Sequence, residues 1–408
     1  MARTALVASM LLLLPSFATS AAAMNSREQL LEAALAGDAA AQTQIGTRYL
    51  RGVDGFPESQ WLAADWYGRA ARKGYAQAQH DLAHVFLRAA ANQKDPARAA
   101  YAYGRAAVWF AKAAGQGLPE SESNLGALYL AGLGVSKDRT EAEKWLRRAA
   151  EHGRAEAQFN LASLLDGEND RPDAKAEVRT LYRKAAEQGL AEAQVVVAFA
   201  LLEGQPDDKA MAESTDWIRK AAVQGNPLAQ NALGDAYYNG SGVTQSREEA
   251  VRWYRRSALR GNADGQYNLG LAYDDGDGIP ANDEQAAKWY LAAAKQGDPR
   301  AQNNLGAAYE NGEGVGKDEA EAATWYLKAA GQGFTGAQRN LAELYEHGTG
   351  VQQDDVAAML WYTLAARDTD IAAETAEARE SLAKRMSPEQ TSEANKLVGM
   401  WESTHPPE

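Results

Sequence analysis

Apolar and small residues recur along this chain at helical spacing, and that pattern itself returns every 36 residues. In residues 301–333, Ala301, Leu305, Ala308 and Tyr309 mark one apolar stripe. Ala322, Trp325, Tyr326, Ala329 and Ala330 mark a second. Spacings of three and four put each set on one face of an amphipathic helix. Between them lies Asn311-Gly312-Glu313-Gly314-Val315, where Gly312 suits the left-handed residue that ends a helix. Gly306 sits beside the first stripe and leaves room for a neighbouring helix, and Gly333 closes the second. The unit is therefore a helix pair, helix A followed by helix B.

A Trp-Tyr pair or close substitute tracks helix B along the chain. It reads Trp109–Phe110, Trp145–Leu146, Leu181–Tyr182, Trp217–Ile218, Trp253–Tyr254, Trp289–Tyr290, Trp325–Tyr326 and Trp361–Tyr362, with an earlier copy at Trp66–Tyr67. A fixed period in this range predicts a repeat array. The tryptophans, with Tyr49, Phe86, Tyr129, Tyr237, Tyr273, Tyr309 and Tyr345 on helix A, read as core ladders. Seven residues before the tryptophan stand Ser59, Asp138, Ser246, Asn282, Asp318 and Asp354, all helix N-cap types. Glu141, Glu249, Gln285 and Glu321 follow three residues later and predict capping boxes.

Three departures from the period are informative. Trp66 and Trp109 are 43 residues apart, which predicts seven extra residues between Arg88 and Ala107. Asp95-Pro96 reads as an N-cap and first helical residue, so helix B of repeat two is expected to gain two turns and a protruding end. Repeats four and five replace the glycine turn with the acidic loops Leu165–Asp170 and Leu202–Asp208. Beyond Trp361, Glu374–Lys384 reads as one further helix. Ser387-Pro388-Glu389-Gln390 then opens a last helix with Ala394, Leu397, Val398 and Trp401 as its apolar stripe, the end cap a solenoid needs.

The start of the chain reads differently. Ala5–Leu14 is a short apolar run after Arg3, and Ala21-Ala22-Ala23 supplies small residues for a signal peptidase. The expected organisation is a secretory signal at 1–23, the solenoid at 24–366, capping helices at 367–401 and a disordered tail at 402–408. The mature chain is then expected in the periplasm or secreted. No later run is apolar enough to span a bilayer. There is no cysteine, which removes thiol nucleophiles and cysteine zinc sites, and implies no lipid anchor behind the signal. Lys+Arg number 42 against 55 Asp+Glu, a net charge of -13 that argues against nucleic acid as partner.

The segment "AQNNLGAAYENGEGVGKDEAEAATWYLKAAGQG" resembles the Sel1-like repeat, a relative of the tetratricopeptide repeat. The resemblance covers roughly residues 30 to 366 as about nine copies. It implies an all-α protein, a right-handed α-solenoid of antiparallel helix pairs that serves as a non-enzymatic adaptor or scaffold. Bacterial relatives include periplasmic regulators of sensor kinases, scaffolds for exopolysaccharide export and secreted factors that bind host proteins. A protein or peptide partner and a monomeric state are the expectation.

Candidate chemistry is sparse. His80 and His84 share a helix face at a spacing that can bind zinc, but no third ligand follows, and equivalent positions elsewhere vary as exposed surface does. Asp274-Asp275-Gly276-Asp277-Gly278 lacks the glutamate that a calcium loop needs at its twelfth position. Ser381-Leu382-Ala383-Lys384 matches Ser-x-x-Lys without its companion motifs. No catalytic, metal or cofactor residue is assigned. Asn124, Asn160, Asn268, Asn304 and Asn340 precede the helix-A leucine in five copies, with Tyr267 and Arg339 beside them. An asparagine ladder either bonds the main chain of an extended ligand or bridges neighbouring repeats. The alternatives to a peptide adaptor are a glycan binder or polysaccharide-export scaffold, and a cell-wall hydrolase using Ser381 or the histidines.

Overall fold

The computed structural model describes residues 27–167 and 172–405. All regular secondary structure among them is helical, in 22 helices. The signal-segment expectation lies outside these residues, as do Glu168–Asp170 of the first acidic loop. The chain divides into two compact units, one ending at Val197 and the other starting at Ala198.

The first unit opens with helix Arg27–Leu35. Four helix pairs follow: Ala39–Arg51 with Gln60–Arg72, Ala76–Ala91 with Pro96–Gly115, Pro119–Ala131 with Arg139–Glu151, and Ala155–Asp166 with Pro172–Glu187. Helix A of repeat five, Ala191–Ala200, carries the boundary. The second unit holds helix B of repeat five, Asp208–Val223, and then the pairs Pro227–Asn239 with Arg247–Leu259, Ala263–Asp275 with Asp283–Ala294, Pro299–Asn311 with Glu319–Ala330, and Thr335–His347 with Asp355–Ala365. Within each unit helix A packs on its own helix B, and helix B packs on the next helix A. This is an α-solenoid arrangement of consecutive pairs. The opening helix, with Leu30 and Ala34 buried, takes the place of a helix B before repeat one.

The expected caps form. Ser59, Asp138, Ser246, Asn282, Asp318 and Asp354 each accept a backbone N–H from the first turn of helix B. None of the four capping boxes predicted at Glu141, Glu249, Gln285 and Glu321 closes. The backbone N–H that the glutamate was to take is already held by the helix-A tyrosine carbonyl, as in Asp138 N to Tyr129 O at 3.1 Å and Asp318 N to Tyr309 O at 2.8 Å. Glu141 and Glu321 turn instead to the tryptophan four residues on. Trp145 Nε1 donates to Glu141 and Trp325 Nε1 to Glu321, both at 2.9 Å. A lysine or arginine three residues after the tryptophan covers its ring, as Lys328 does over Trp325 at 3.6 Å.

A second ladder has no counterpart in the pattern-based reading. Gln42, Gln79, Gln158, Gln230, Gln266, Gln302 and Gln338 are buried on helix A, three residues before the core aliphatic. Each donates its amide to the carbonyl of an alanine eight residues earlier, on the preceding helix B, for example Gln302 to Ala294 at 3.1 Å and Gln42 to Ala34 at 2.9 Å. The oxygens of Gln79, Gln158, Gln266 and Gln302 accept from a glutamine at the next B terminus, as in Gln332 to Gln302 at 2.8 Å, while those of Gln42, Gln230 and Gln338 have no partner among the described residues. Glu122 breaks the series. It is fully buried and pairs with Arg148 at 2.7 Å.

Helix B of repeat two runs 20 residues from Pro96, capped by Asp95, so the added turns are present. Helix A of that repeat is also longer, at 16 residues against 13 in repeat one. After Trp361 the single helix expected at Glu374–Lys384 is two, Thr369–Glu374 and Ala376–Arg385, broken at buried Thr375. The last helix, Pro388–Thr404, starts with a closed capping box at Ser387 and Gln390 and packs on helix B of repeat nine. The tail expected from residue 402 is corrected by this helix, which continues to Thr404 and stacks His405 on Trp401 at 4.2 Å.

Candidate functional site

The helix-A leucines that anchor the core fix where their neighbours stand. Asn124, Asn160, Asn268, Asn304 and Asn340 each precede one of them, so they lie at the edge of the buried stripe. Asn124 Nδ2 is 3.3 Å from His84 Nε2 of the previous repeat. Asn268 donates to Asn231 at 3.0 Å and to Asp235 at 3.2 Å, again one repeat back. Asn340 donates to Asn303 at 3.0 Å, while Asn304 accepts from Asn303 at 3.3 Å. Asn160 is buried. Asn124, Asn268 and Asn340 therefore link repeats, whereas Asn304 bonds within its own.

The two companion residues are placed by charge. Arg339 bonds Asn340 at 3.0 Å and reaches Glu374 of the end cap at 2.8 Å. Tyr267 is half-buried beneath the Arg300 guanidinium, 4.4 Å from its ring centre. Arg300 is held in turn by Asp264 and Asp298, each at 2.6 Å.

A row of carboxylates on the same helices escaped the sequence reading. Asp235, Asp274, Glu310 and Glu346 accept the hydroxyls of Tyr254, Tyr290, Tyr326 and Tyr362 at 2.8, 2.9, 2.8 and 3.0 Å. Burial, and then the adjacent carboxylates, push these phenols far above their ordinary value. Burial likewise raises the Asp235 and Glu343 carboxyls. In the first unit the corresponding tyrosines, Tyr67 and Tyr182, meet neutral hydroxyls instead, Thr47 and Ser163, both at 3.0 Å. The acidic face thus belongs to the second unit. The signal for it was the helix-B tyrosine, whose hydroxyl needs a partner when buried. A cavity of about 160 Å³ opens on this face, lined by Asp274, Tyr290, Asn304 and Glu313 among others.

The histidines are corrected from surface to interior. His80 is 2% exposed, and both rings stand edge-on to Phe110. His80 Nδ1 lies 2.9 Å from Ser121 Oγ. Burial first, and cationic neighbours second, hold His80 well below its ordinary value and push His84 down to about 4. Burial pushes Asp81 up to about 7. Phe110 supplies the apolar wall that sequence spacing did not assign to them. Among the described residues no three histidine or carboxylate side chains gather as a metal site. Asp277 of the acidic turn pairs with Arg247 at 3.4 Å. Ser381 and Lys384 are exposed, and Lys384 pairs with Glu380 at 2.7 Å.

Comparison with known proteins follows the repeat geometry. The Sel1 repeat family profile matches residues 39–75, 119–153, 155–190, 227–262, 263–298, 299–334 and 335–370. Repeat two falls between the matches yet folds as a helix pair, and repeat five, also outside them, supplies the helices Ala191–Ala200 and Asp208–Val223. A Sel1 repeat protein from Oxalobacter formigenes is 27% identical, with 91% of this chain and 99% of that chain covered and a TM-score of 0.52. A protective antigen of uropathogenic Escherichia coli strains, displaying an SLR fold, is 32% identical over 92% of this chain and 94% of that chain, with a TM-score of 0.49. A comparison with curated proteins finds no match.

Proposed function

Because the chain belongs to the Sel1 repeat family, we propose that it is a non-catalytic scaffold that holds a protein or peptide segment on the helix-A face of repeats six to nine. The observation that carries this reading is the row of Asp235, Asp274 and Glu310, one per repeat in repeats six to eight, each fixed by a tyrosine hydroxyl, whereas Glu346 of repeat nine is buried and already held by Arg385. Fixed acceptors lose little entropy on binding, so a segment rich in lysine and arginine suits them. The asparagine amides between them add main-chain contacts. Pairing of Lys384 with Glu380 supports the non-catalytic reading, since the Ser-x-x-Lys lysine is then a surface ion pair. No described helix is long and apolar enough to cross a membrane.

Export is part of the proposal. Its support is the apolar run Ala5–Leu14 followed by Ala21-Ala22-Ala23. N-terminal sequencing of the protein from the cell envelope is expected to begin near Met24. A product beginning at Met1 would remove the export reading.

The scaffold is tested by capture from the exported fraction with residues 24–408 as bait. A stoichiometric protein partner is expected. The Asp274→Asn/Glu310→Gln double variant is expected to bind it at least tenfold more weakly while melting normally. Unchanged affinity in that variant would move the site off this face. A parallel Asn268→Ala/Asn304→Ala/Asn340→Ala variant separates the two asparagine roles. Melting with unchanged binding per folded molecule assigns them to bridging alone.

A further inference from the structure

Helix B of repeat two departs from its counterparts in length, charge and hydrogen bonding at once. It carries Arg98, Arg105 and Lys112 and no acidic residue, in a chain whose net charge is -13. Arg98, Tyr101, Arg105, Val108 and Lys112 follow one another at spacings of three and four, the geometry of a seam for a second helix. All five are exposed, Tyr101 at 68% and Val108 at 52%. The added residues lie on the outer side of the register. The turn glycine of the next repeat, Gly134, closes on Tyr103 and Gly104, just as Gly314 closes on Asp283 at the start of an ordinary helix B. Residues 96–102 therefore lengthen the seam beyond the point where an ordinary helix B begins.

Position 105 is the second, independent observation. Four residues before the tryptophan, Glu141, Glu213 and Glu321 accept the indole N–H of Trp145, Trp217 and Trp325. Repeat two has Arg105 there. Trp109 is 7% exposed, and its Nε1 has no acceptor. A buried donor without a partner is destabilising, because it gives up its bond to water and gains none in return. Arg105 instead lies over Phe86, 5.5 Å from the ring centre. Two donors thus stand where repeats three, five and eight keep a carboxylate.

We propose that this stripe docks an acidic amphipathic helix of a partner protein. Apolar side chains of that helix pack over Tyr101 and Val108. Its carboxylates pair with Arg98, Arg105 and Lys112, bringing from outside the group that repeats three, five and eight carry themselves. The surface is separate from the helix-A face of repeats six to nine and does not rest on that reading.

The test uses residues 24–408 and a labelled 21-residue peptide of three heptads, with leucine at the core positions and glutamate flanking them. A twin carries lysine for glutamate. Fluorescence anisotropy is expected to show binding of the acidic peptide and none of the twin. Arg105→Glu is expected to weaken binding at least tenfold while raising the melting temperature, because Trp109 regains its acceptor. Tyr101→Ser is expected to weaken binding similarly with an unchanged melting temperature. The Asp274→Asn/Glu310→Gln variant should bind the acidic peptide as the parent chain does, which keeps this result distinct from the scaffold test. No binding of the acidic peptide, or equal binding by Arg105→Glu, overturns the proposal. So does sedimentation of a dimer that Arg105→Glu dissolves, which would assign the stripe to a second copy of this chain.

Discussion

At the residue scale, small changes of side chain decide large differences of environment. Gly306 was expected to permit close approach, and a Cβ there would lie 2.7 Å from the Tyr326 ring. The spacing made that legible, because a glycine beside an apolar stripe has few other reasons to persist. The burial of His80 and His84 was not legible. Their helix face is buried only because Phe110 and Ser121 come from other elements. This burial has a pH consequence. The unfolded histidine titrates near 6.5 and folded His84 near 4, so the unfolded chain takes the proton first. Stability is therefore lost as pH falls from about 6.5 towards about 4. Asp81, raised to about 7, works in the opposite direction across the whole of that range, so the loss described is His84's contribution alone. The His84→Gln variant is expected to lose less stability than the parent between pH 7 and pH 4.5, measured by thermal melting at each pH. An identical loss in the two proteins would remove His84 as a source of acid sensitivity.

Between elements, the recurrent contacts are polar bonds laid over an alanine-rich interface. The glutamine ladder ties helix A to the helix B before it and, at Gln79, Gln158, Gln266 and Gln302, through a second glutamine to the one after. Gln302→Leu keeps the volume and removes both bonds. It is expected to destabilise the second unit by about 1–3 kcal/mol, read from denaturant melting, since Ala294 O and the Gln332 amide lose a partner. A change within error would mean that water replaces the amide without cost. The helix pairs, their caps and the added turns in repeat two followed from periodicity and cap residues. The partner of each cap did not. Whether Glu321 closes a capping box or takes the Trp325 indole depends on Tyr309 O reaching the Asp318 N–H first, a contact across the turn.

For the whole molecule, repetition sets what holds the array together and where it is vulnerable. Each repeat buries its face only against neighbours, so the ends need covering. Helix Pro388–Thr404 covers the last one, placing Ala394, Val398 and Trp401 on the core that includes Tyr362, Leu382 and Met386. Arg385 pairs there with Asp355 at 2.9 Å and with Glu346 at 3.2 Å. Removing residues 388–408 is expected to lower the melting temperature by about 5 °C or more and to promote association through the uncovered face. Retention of the parent melting curve would show that the terminal helix is dispensable.

The sequence by itself determined that this protein is a series of helix pairs, because a 36-residue period, helical apolar spacing and cap residues are local signals that agree with one another. It also carried the family, because the Sel1 repeat is written in those same residues. Tertiary structure alone decided which polar groups meet. The carboxylate row of the second unit, the histidines packed on Phe110 and the glutamine ladder each depend on groups from different helices. Periodicity places a residue on a face, but a hydrogen bond requires two faces to be brought within about 3 Å of each other. That step is made only when the repeats stack.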